Sequence, residues 1–330
     1  MELTASHKLL IKHLASGRFF SSSQLTGELG VSRTSVWNYL QALEKAGFEL
    51  HAVKGKGTRL KVPLELLDEK EITSHIGIEE RKLLTQLELL DICPSTNAHV
   101  AQKNSLNPLK NGTVCMAEMQ TRGRGRLGKT WVSPYGQNLY ISFLWNFKSD
   151  TAALSGLSLA CGVAVCNALS ELGIEGHGLK WPNDILWQGK KLGGILVAIQ
   201  GESQGGYSAI VGVGINYHMD SKASLGIDQP WVDISKIHGA VGRNKAAGRI
   251  IEHMLGVLSA YEETGLAPYI KQWDKLDYCR GKAVQIISGK TRQQGIARGI
   301  SARGELLLTR PDGEKQLVTS GEVSLRLDND

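Results

Sequence analysis

The sequence Gly123-Arg124-Gly125-Arg126-Leu127-Gly128-Lys129-Thr130-Trp131 places three glycines and three cations within nine residues, just before the Ser133-Pro134 break. Glycine permits positive φ angles and a close approach of the backbone to a ligand, and Arg and Lys complement phosphate or carboxylate charge. The stretch therefore predicts a mobile cationic lid over an anionic ligand. A solvated surface loop is the alternative interpretation, and the flanking sequence has to decide between the two.

The segments on both sides of this loop have the pattern of β-strands. Residues 113–119 form an apolar run that delivers Gln120 to the loop, and residues 138–145 form a second run that leaves it. The three glycines also satisfy the G-x-G-x-x-G pattern of dinucleotide-binding folds, but Pro134 stands where such a fold needs a helix to begin. This context argues against a dinucleotide turn.

Upstream of the loop, a short polar stretch follows a predicted strand over residues 87–93. Its residues Ser95, Thr96 and Asn97 stand at the beginning of a predicted helix. Side chains of these types cap helices, and they also offer donors and acceptors to a polar ligand. Both interpretations remain open at this point.

Downstream of the loop, residues 180–194 predict two short strands around a Gln188-Gly189 turn. Lys180, Asn183, Asp184 and Lys191 bring two cations, an amide and a carboxylate onto this hairpin, which suits a metal-bound nucleotide. A solvated hairpin is the alternative. Further on, an apolar strand ends at Asn216, and Trp231 either stacks on a base or fills the core.

The composition is that of a globular protein of two or three domains, with 330 residues, 42% hydrophobic and 21% charged. Five cysteines without C-x-x-C spacing predict neither a disulfide framework nor a cysteine zinc site, and the histidines lack metal-ligand spacing. The N-terminus has no secretory pattern, so we expect a cytoplasmic protein. Residues 151–172 predict a buried helix, being too weakly apolar for a membrane span.

The basic charge is concentrated at the N-terminus. Residues 1–62 contain nine Lys and Arg against four Asp and Glu, whereas the remainder contains 29 against 28. This imbalance predicts a polyanionic partner for the N-terminal part of the chain.

The same N-terminal part has the pattern of a winged helix-turn-helix. Helical spacing over residues 9–14, a helix over 24–29, a turn at Gly30 and a third helix over 33–46 are followed by a basic wing at 54–59. A helical hairpin that serves only packing is the alternative. The residues expected to contact DNA are Ser32, Arg33, Thr34, Ser35 and Asn38.

The C-terminal residues from Lys282 onward predict a β-meander, because short strands alternate with Ser288-Gly289, Arg303-Gly304 and Asp312-Gly313 turns. With a linker at about residues 62–68, the expected domains are residues 1–65 for DNA binding, 70–275 for ligand chemistry and 277–330 for a small β-barrel.

Taken together, the motifs closely resemble the biotin protein ligases, in the bifunctional form that also represses the biotin operon, and the likeness covers essentially the whole length. The residues that carry it are Ser95-Thr96-Asn97, Gln120, Gly123-Arg124-Gly125-Arg126, Gly128, Trp131, Lys180-Trp181-Pro182-Asn183-Asp184, Lys191-Leu192, Gly194-Ile195-Leu196, Gly212, Gly214 and Asn216. The resemblance implies an α+β multidomain fold: a winged helix-turn-helix, a central α/β ligase domain with a mixed sheet, and a C-terminal SH3-like β-barrel.

The resemblance also implies the chemistry. Biotin and ATP would give biotinyl-5′-adenylate and pyrophosphate, and the biotinyl group would pass to a lysine of the biotin carboxyl carrier protein. Two anions meet in the first step, so fixed cations and Mg²⁺ are expected, with no tightly bound prosthetic group.

The residue roles carried over with the resemblance fall into four overlapping sets. The catalytic set is Lys191, Arg124, Arg126 and Asp184, and the magnesium ligands are Asn183 and Asp184. The biotin set is Ser95, Thr96, Asn97, Gln120, Arg124, Gly125, Arg126 and Lys191, and the nucleotide set is Lys180, Asn183, Asn216, Trp131 and Trp231.

The partners implied by the resemblance are the carrier protein, operator DNA bound through residues 22–41, and a second copy of the chain in a homodimer that biotinyl-adenylate promotes; no membrane is implied. A ligand-sensing regulator without catalysis and a lipoate-type ligase are the alternatives. Lys191 and the intact loop argue against the first, and Gln120 with the Gly-Arg-Gly-Arg loop favours biotin.

The loop departs from the family pattern at two positions, and the resemblance also suggests a role for arginines of the C-terminal barrel. Leu127 and Lys129 occupy loop positions that are cationic places in well-known relatives, so the retention time of the ligand is expected to differ. Arg298, Arg303 or Arg310 of the barrel would contact the nucleotide or the carrier, unless the barrel is purely structural.

Overall fold

The N-terminal residues form three helices and a two-stranded wing, which we call the N-terminal module (residues 3–60). The computed structural model describes residues 3–148, 154–203, 206–219, 223–239, 241–289, 291–321 and 323–327. In the module these elements are α1 (Ala5–Ala15), α2 (Ser22–Leu29), α3 (Arg33–Lys45), β1 (Leu50–Val53) and β2 (Gly57–Leu60).

Local sequence explains where these helices begin and end. The hydroxyls of Thr4, Ser21 and Ser32 each accept a backbone N–H of the first helical turn, as good N-caps do. Gly30 ends α2 at φ 64°, a left-handed angle that favours glycine. The inward sides of the helices share one apolar cluster that includes Leu10, Ile11, Leu14, Leu25, Val36 and Leu43.

A seven-stranded mixed sheet forms the centre of the molecule, in the order β3-β4-β5-β9-β8-β7-β6. The first pair is parallel and the others are antiparallel. Its strands are β3 (Gln86–Cys93), β4 (Thr113–Gln120), β5 (Asn138–Phe147), β6 (His177–Lys180), β7 (Asp184–Trp187), β8 (Lys190–Ser203) and β9 (Gly206–Asn216). The helices of this region are α4 (Glu69–Ser74), α5 (Ile78–Leu83), α6 (Thr96–Leu106), α7 (Leu157–Glu171), α8 (Ile234–His238), α9 (Arg243–Thr264) and α10 (Ala267–Leu276).

The two faces of the sheet are covered differently. Helices α7 and α9 pack on one face and complete the main apolar core. On the other face, Val100 of α6 packs against Cys115, Leu144 and Ile210, whose strand neighbours point to the first face. Because α6 covers only part of this second face, the part of the sheet next to the N-terminus of α6 remains open.

The predicted buried helix over residues 151–172 is shorter in the structure. It begins at Leu157, and residues 151–153 lie outside the described residues. Among the described residues, no helix is long and apolar enough to cross a membrane. All five cysteines are buried free thiols.

A buried ion pair ties the segment after the wing to the central sheet. Arg243 at the start of α9 is fully buried and donates to a carboxylate oxygen of Glu118 at 2.6 Å. The carboxylate of Glu65 accepts the backbone N–H groups of Arg243 and Asn244 at 2.6 and 2.9 Å. The linker expected at residues 62–68 is therefore held by hydrogen bonds along the catalytic region.

The C-terminal residues form a five-stranded antiparallel sheet in the order β13-β12-β11-β10-β14. Its strands are β10 (Ala283–Ser288), β11 (Thr291–Ile300), β12 (Leu306–Thr309), β13 (Lys315–Val318) and β14 (Val323–Leu327). The predicted meander is present, but β13 and β14 are the two edges of the sheet within the described residues, so closure into a barrel is not confirmed. Trp181 of the central domain donates its indole N–H to Gly304 at 3.0 Å and fastens this sheet.

Candidate active site

One cavity of about 780 Å³ lies on the open part of the central sheet, between the start of α6, the Gly123–Trp131 loop and β14. This volume is in the range of ligand sites for small molecules and cofactors. Every residue predicted for biotin, nucleotide, metal or catalysis lines it: Ser95, Thr96, Asn97, Gln120, Arg124, Gly125, Arg126, Trp131, Lys180, Asn183, Asp184, Lys191, Asn216 and Trp231.

The floor of the cavity exists because two neighbouring strands, β8 and β9, carry glycine at positions that lie beside Ser142 of β5. Gly194 of β8 pairs with Gly214 of β9, and Gly212 pairs with Ser142 of β5, so all of them point to the same face. A Cβ atom on Gly212 would lie 2.5 Å from Oδ1 of Asn97, and one on Gly214 would lie 2.7 Å from the indole of Trp131. Larger residues would therefore displace the side chains that line the cavity.

A chain of hydrogen bonds crosses the end of the cavity nearest α6. Oε1 of Gln120 accepts the backbone N–H and the hydroxyl of Thr96 at 2.9 and 3.2 Å, and its amide donates to Ser133 at 3.0 Å. The hydroxyl of Ser142 lies 2.7 Å from Oγ1 of Thr96 and 2.6 Å from Oδ1 of Asn97, and its single proton can be donated to either oxygen. These polar groups are held in place before any ligand arrives.

Ser95 has a capping role in this arrangement. Its hydroxyl accepts the backbone N–H of Ala98 at the start of α6, at 3.5 Å, and the residue is 4% exposed. The two interpretations of the polar stretch are thus compatible, since Ser95 caps the helix and also lines the cavity.

The opposite end of the cavity centres on an ion pair. Nζ of Lys191 lies 2.8 Å from Oδ1 of Asp184, and the two side chains are only 17% and 16% exposed. The same ammonium lies 5.5 Å from the ring centre of Trp131, a distance typical of a cation–π contact. Lys191 therefore points into a site from which water is largely excluded.

Asn216 holds the backbone around this lysine. Both hydrogen bonds of its amide nitrogen are to carbonyl oxygens, those of Lys191 and Val232, each at 3.1 Å. The backbone N–H of Lys191 also donates to Pro230 at 2.9 Å. The cation is thus fixed at its backbone as well as by Asp184.

The Gly123–Trp131 loop folds back on itself over the cavity. The N–H of Gly125 donates to Lys129 at 2.7 Å, and the N–H of Trp131 donates to Gly123 at 3.0 Å. Leu127 has φ 55°, which is unfavourable for a side chain with Cβ, and is half exposed. The left-handed angle of Leu127 has a conformational cost, which the hydrogen bonds of the loop offset.

Arg126 joins this loop to two other parts of the site. It donates to Oδ1 of Asn183 at 3.3 Å, to the carbonyl of Ser320, and to the carbonyl of Gly321 at 2.7 Å. Burial lowers the pKa of its guanidinium, although an arginine remains charged at neutral pH. The C-terminal sheet therefore helps to hold the loop in place.

Three contributors to the site were missed by the sequence reasoning. Ser133 and Ser142 lie in the polar network, and Arg326 of β14 lines the cavity. Arg298, Arg303 and Arg310, which were expected to reach the nucleotide or the carrier, do not line it. Neither the two serines nor Arg326 belongs to a recognisable sequence motif. They can be identified only from the strand register and from the packing of the C-terminal sheet against the central domain.

One donor in the cavity stays unsatisfied. The indole Nε1 of Trp131 is buried and has no hydrogen-bond partner among the described residues. A buried donor without a partner costs about 1–3 kcal/mol, so a ligand acceptor at this position would recover stability.

Residues 89–216 match the biotin/lipoate A/B protein ligase family, residues 7–59 match an HTH domain, and residues 281–326 match the biotin protein ligase C-terminal domain. The bifunctional ligase/repressor BirA of Escherichia coli is 36% identical over 96% of both chains, and that of Bacillus subtilis is 30% identical over 93% of this chain and 94% of its own.

Solved structures agree with these matches. The biotin protein ligase of Aquifex aeolicus in complex with biotin and ATP is 27% identical, with a TM-score of 0.62 over 74% of this chain and all of that chain. Fold and site together define a ligase domain joined to a DNA-binding module. The chain belongs to the BirA family of bifunctional ligase/repressors.

Proposed function

We propose that the protein is an ATP-dependent biotin ligase that forms biotinyl-5′-AMP, transfers biotin to a lysine of the biotin carboxyl carrier protein, and represses a biotin operon. The observation that carries the ligase function is the convergence of all the predicted ligand residues on one cavity around the Lys191–Asp184 pair. The N-terminal module carries the repressor function.

Biotin occupies the end of the cavity beside α6. Its ureido ring needs both donors and acceptors, and Ser95, Thr96, Asn97 and Gln120 supply them from the preformed network with Ser142. The carboxylate then points toward the loop cations and Lys191. Because these groups are fixed before binding, little ordering entropy is lost when biotin enters.

The nucleotide occupies the other end. Lys180, Asn183 and Arg326 face its phosphates, the unsatisfied N–H of Trp131 donates to it, and Trp231 offers a stacking face beside Lys236, which lies 3.9 Å above its ring. We assign Asn216 a positioning role, because both donated hydrogen bonds go to the backbone around Lys191.

In the first step an oxygen of the biotin carboxylate attacks the α-phosphorus of ATP, and the bond to the bridging oxygen of pyrophosphate breaks. Two anions approach each other, so the ammonium of Lys191 and the guanidinium groups of Arg124 and Arg126 stabilise the charge that develops. In the second step the amine of the carrier lysine attacks the biotinyl carbonyl, and AMP leaves.

Asp184 and Asn183 fit a magnesium ion. Oδ2 of Asp184 has no hydrogen-bond partner among the described residues, and Mg²⁺ prefers oxygen ligands from one or two protein groups together with substrate phosphates. When bound, Mg²⁺ would neutralise phosphate charge during adenylation. Asp184 then has two functions, since it also positions Lys191.

The Gly123–Trp131 loop serves as a lid. Biotinyl-adenylate is a mixed anhydride that hydrolyses if water reaches it, so closure protects the intermediate until the carrier arrives. Leu127 has a left-handed backbone and stands at a cationic place of the family pattern, while Arg122 adds a charge just before the loop, so the retention time of the ligand is expected to differ.

The repressor function requires a DNA partner and, in our proposal, a homodimer promoted by biotinyl-adenylate. The backbone of Ile195 is hydrogen-bonded to Asn183. Beyond it, as far as Ser203, β8 pairs only with β9 among the described residues, and this open edge is suited to pairing with a second copy. We also propose that the C-terminal sheet has an SH3-like fold and that the protein acts in the cytoplasm, where ATP and operator DNA are found.

Intact-mass measurement tests the ligase function. The protein is incubated with biotin, ATP, Mg²⁺ and a carrier domain, and the carrier is expected to gain one biotinyl group, with no gain when ATP is omitted. Replacing biotin with lipoate distinguishes the lipoate-type alternative. A carrier that gains no biotinyl mass refutes the proposal.

A gel-shift experiment with biotin-operon promoter DNA tests repression independently. Binding should strengthen when biotin and ATP are added together. If the protein binds the DNA equally well with and without biotin and ATP, the proposed regulation of DNA binding by biotinyl-adenylate is refuted.

A further inference from the structure

The outward side of α3 presents four exposed residues in its first two turns, namely Arg33, Thr34, Trp37 and Asn38. Helical spacing places Arg33 with Trp37 and Thr34 with Asn38, four residues apart, on one face. The opposite side is anchored by Val36 and Leu43, which are 1% and 0% exposed. In a helix-turn-helix, here formed by α2 and α3, the N-terminal part of the second helix contacts base edges in the major groove.

Trp37 is unusual on this face. It is 61% exposed and is the only exposed Trp, Tyr or Phe in the described part of the chain. Its indole makes no hydrogen bond, ring contact or cation–π contact with the described residues. A large apolar side chain that gains nothing within its own protein is expected at a surface that binds a partner.

The surroundings identify the partner as nucleic acid. Arg33 and Asn38 beside Trp37 also lack a side-chain partner among the described residues, so their donors are free for an external ligand. The exposed Lys54 and Lys56 stand at the tip of the wing, and residues 1–62 have an excess of five positive charges. A protein interface would instead favour apolar neighbours and few Lys residues around the aromatic side chain.

We propose that Trp37 reads a thymine in the operator half-site, with its indole packed against the C5-methyl group of that base in the major groove. This inference rests on the proposed repressor function and names the base that the module selects. The methyl group is the one apolar feature of the major-groove edge, and it distinguishes thymine from the other bases. Arg33 and Asn38 then supply hydrogen bonds to neighbouring base edges or phosphates.

Selection from a pool of randomised duplexes tests the proposal first. Wild-type protein and Trp37→Ala, each supplied with biotin and ATP, select duplexes at one fixed salt concentration. The wild-type site should contain a thymine position in each half-site that the variant does not select. The variant should bind the wild-type site about tenfold to 100-fold more weakly, the range for losing one good base contact.

Replacing the selected thymine with uracil, which lacks the methyl group, then tests the contact itself. This replacement should weaken wild-type binding several-fold and leave Trp37→Ala binding unchanged, an interaction that a merely structural role of Trp37 would not produce. The dependence of affinity on salt should be equal for both proteins, because the indole carries no charge. Leu9→Ala, which changes a partly exposed apolar residue of α1, serves as the control and should bind normally.

The outcomes separate the possible failures. If the wild-type protein selects no sequence, the repressor function and the thymine contact are both refuted. If both proteins select the same site with equal affinity, or if uracil weakens them equally, only the role of Trp37 is refuted. Loss of dimerisation in Trp37→Ala with unchanged DNA selection would identify a protein interface instead. Trp37→Gln replaces the Ala variant if thermal unfolding shows that the latter is not folded.

Discussion

Replacing Lys191 with methionine removes the charge at the centre of the cavity and keeps the length and apolar stem of the side chain. In the structure the ammonium lies 2.8 Å from Asp184, both groups are about one-sixth exposed, and the backbone of Lys191 is fixed by Pro230, Val232 and Asn216. The charge is therefore positioned before the substrates arrive, and water has little access to replace it.

The magnitude follows from this preorganisation. Removing one fixed donor from a site that stabilises developing charge costs about 2.7–4 kcal/mol, or a factor of about 10²–10³ in rate. We expect Lys191→Met to slow adenylation by that factor. The Michaelis constant for ATP should also rise, because the unpaired carboxylate of Asp184 would then repel the triphosphate.

Biotin-dependent exchange of labelled pyrophosphate into ATP measures adenylation separately from transfer to the carrier. Lys190→Met is the matched control, since Lys190 carries the same charge one residue away and is exposed. Lys191→Arg, which keeps the charge, should lose less activity than Lys191→Met. An exchange rate for Lys191→Met within a factor of about three of the wild type, with the variant folded, would refute the electrostatic role.

Four further predictions address the lid, the floor, the buried ion pair and a titrating carboxyl group. Arg126→Ala should release biotinyl-adenylate faster in a single-turnover chase, because it loses the hydrogen bonds to Asn183 and to the C-terminal sheet; an unchanged release rate would count against the lid. Gly214→Ala should weaken binding of biotin and ATP in calorimetry by displacing Trp131, whereas Gly256→Ala, which meets open space in α9, should bind normally. Glu118→Leu should lower the free energy of unfolding by about 3–5 kcal/mol, because it leaves the buried Arg243 charge without its partner, and a urea titration that shows less than about 1 kcal/mol would contradict this. Burial raises the pKa of Asp277 to about 6, so the folded state holds that proton more tightly than the unfolded chain, and the contribution of Asp277 to stability should fall as the pH rises from about 4 to 6; the difference in free energy of unfolding between the wild type and Asp277→Asn should change over this range, and a constant difference would exclude this group.

The local signals of the sequence were sufficient for much of the fold. The start of α3 at Arg33, the turn at Gly30, and the Gln188-Gly189 turn with φ of 47° and 79° depend on neighbouring residues, and each appears where the pattern predicted it. The ligand residues could be gathered because their motifs match a known family. Spacing alone left it open whether Ser95 caps a helix or contacts a ligand. In the structure Ser95 caps α6 and also lines the cavity.

What the sequence could not predict depends on contacts between distant segments. Ser142 belongs to the polar network at the end of the cavity nearest α6 only because the register of β5 and β9 places it opposite Gly212. Arg326 reaches the cavity because the C-terminal sheet docks beside the lid, a packing that no local pattern encodes. The helix starts at Leu157, six residues after the expected position, because Gly156 directly before it has φ 83°, a left-handed angle that a right-handed helix does not include.

The segment that leaves the lid leads directly into the N-terminal module. Trp131 packs on Gly214 in the cavity, and four residues later Tyr135 is buried in the apolar cluster of the module, with its ring 5.0 Å from that of Phe48. Tyr135 also donates to Asp91 at 3.4 Å, and Asp91 forms an ion pair with Lys8 of α1. Because five residues in extended conformation span less than about 18 Å, a displacement of Trp131 when the lid closes on ligand has little slack to absorb it before Tyr135. The same short segment thus connects the cavity to the apolar cluster of the N-terminal module, and a movement of Trp131 is expected to reach that cluster.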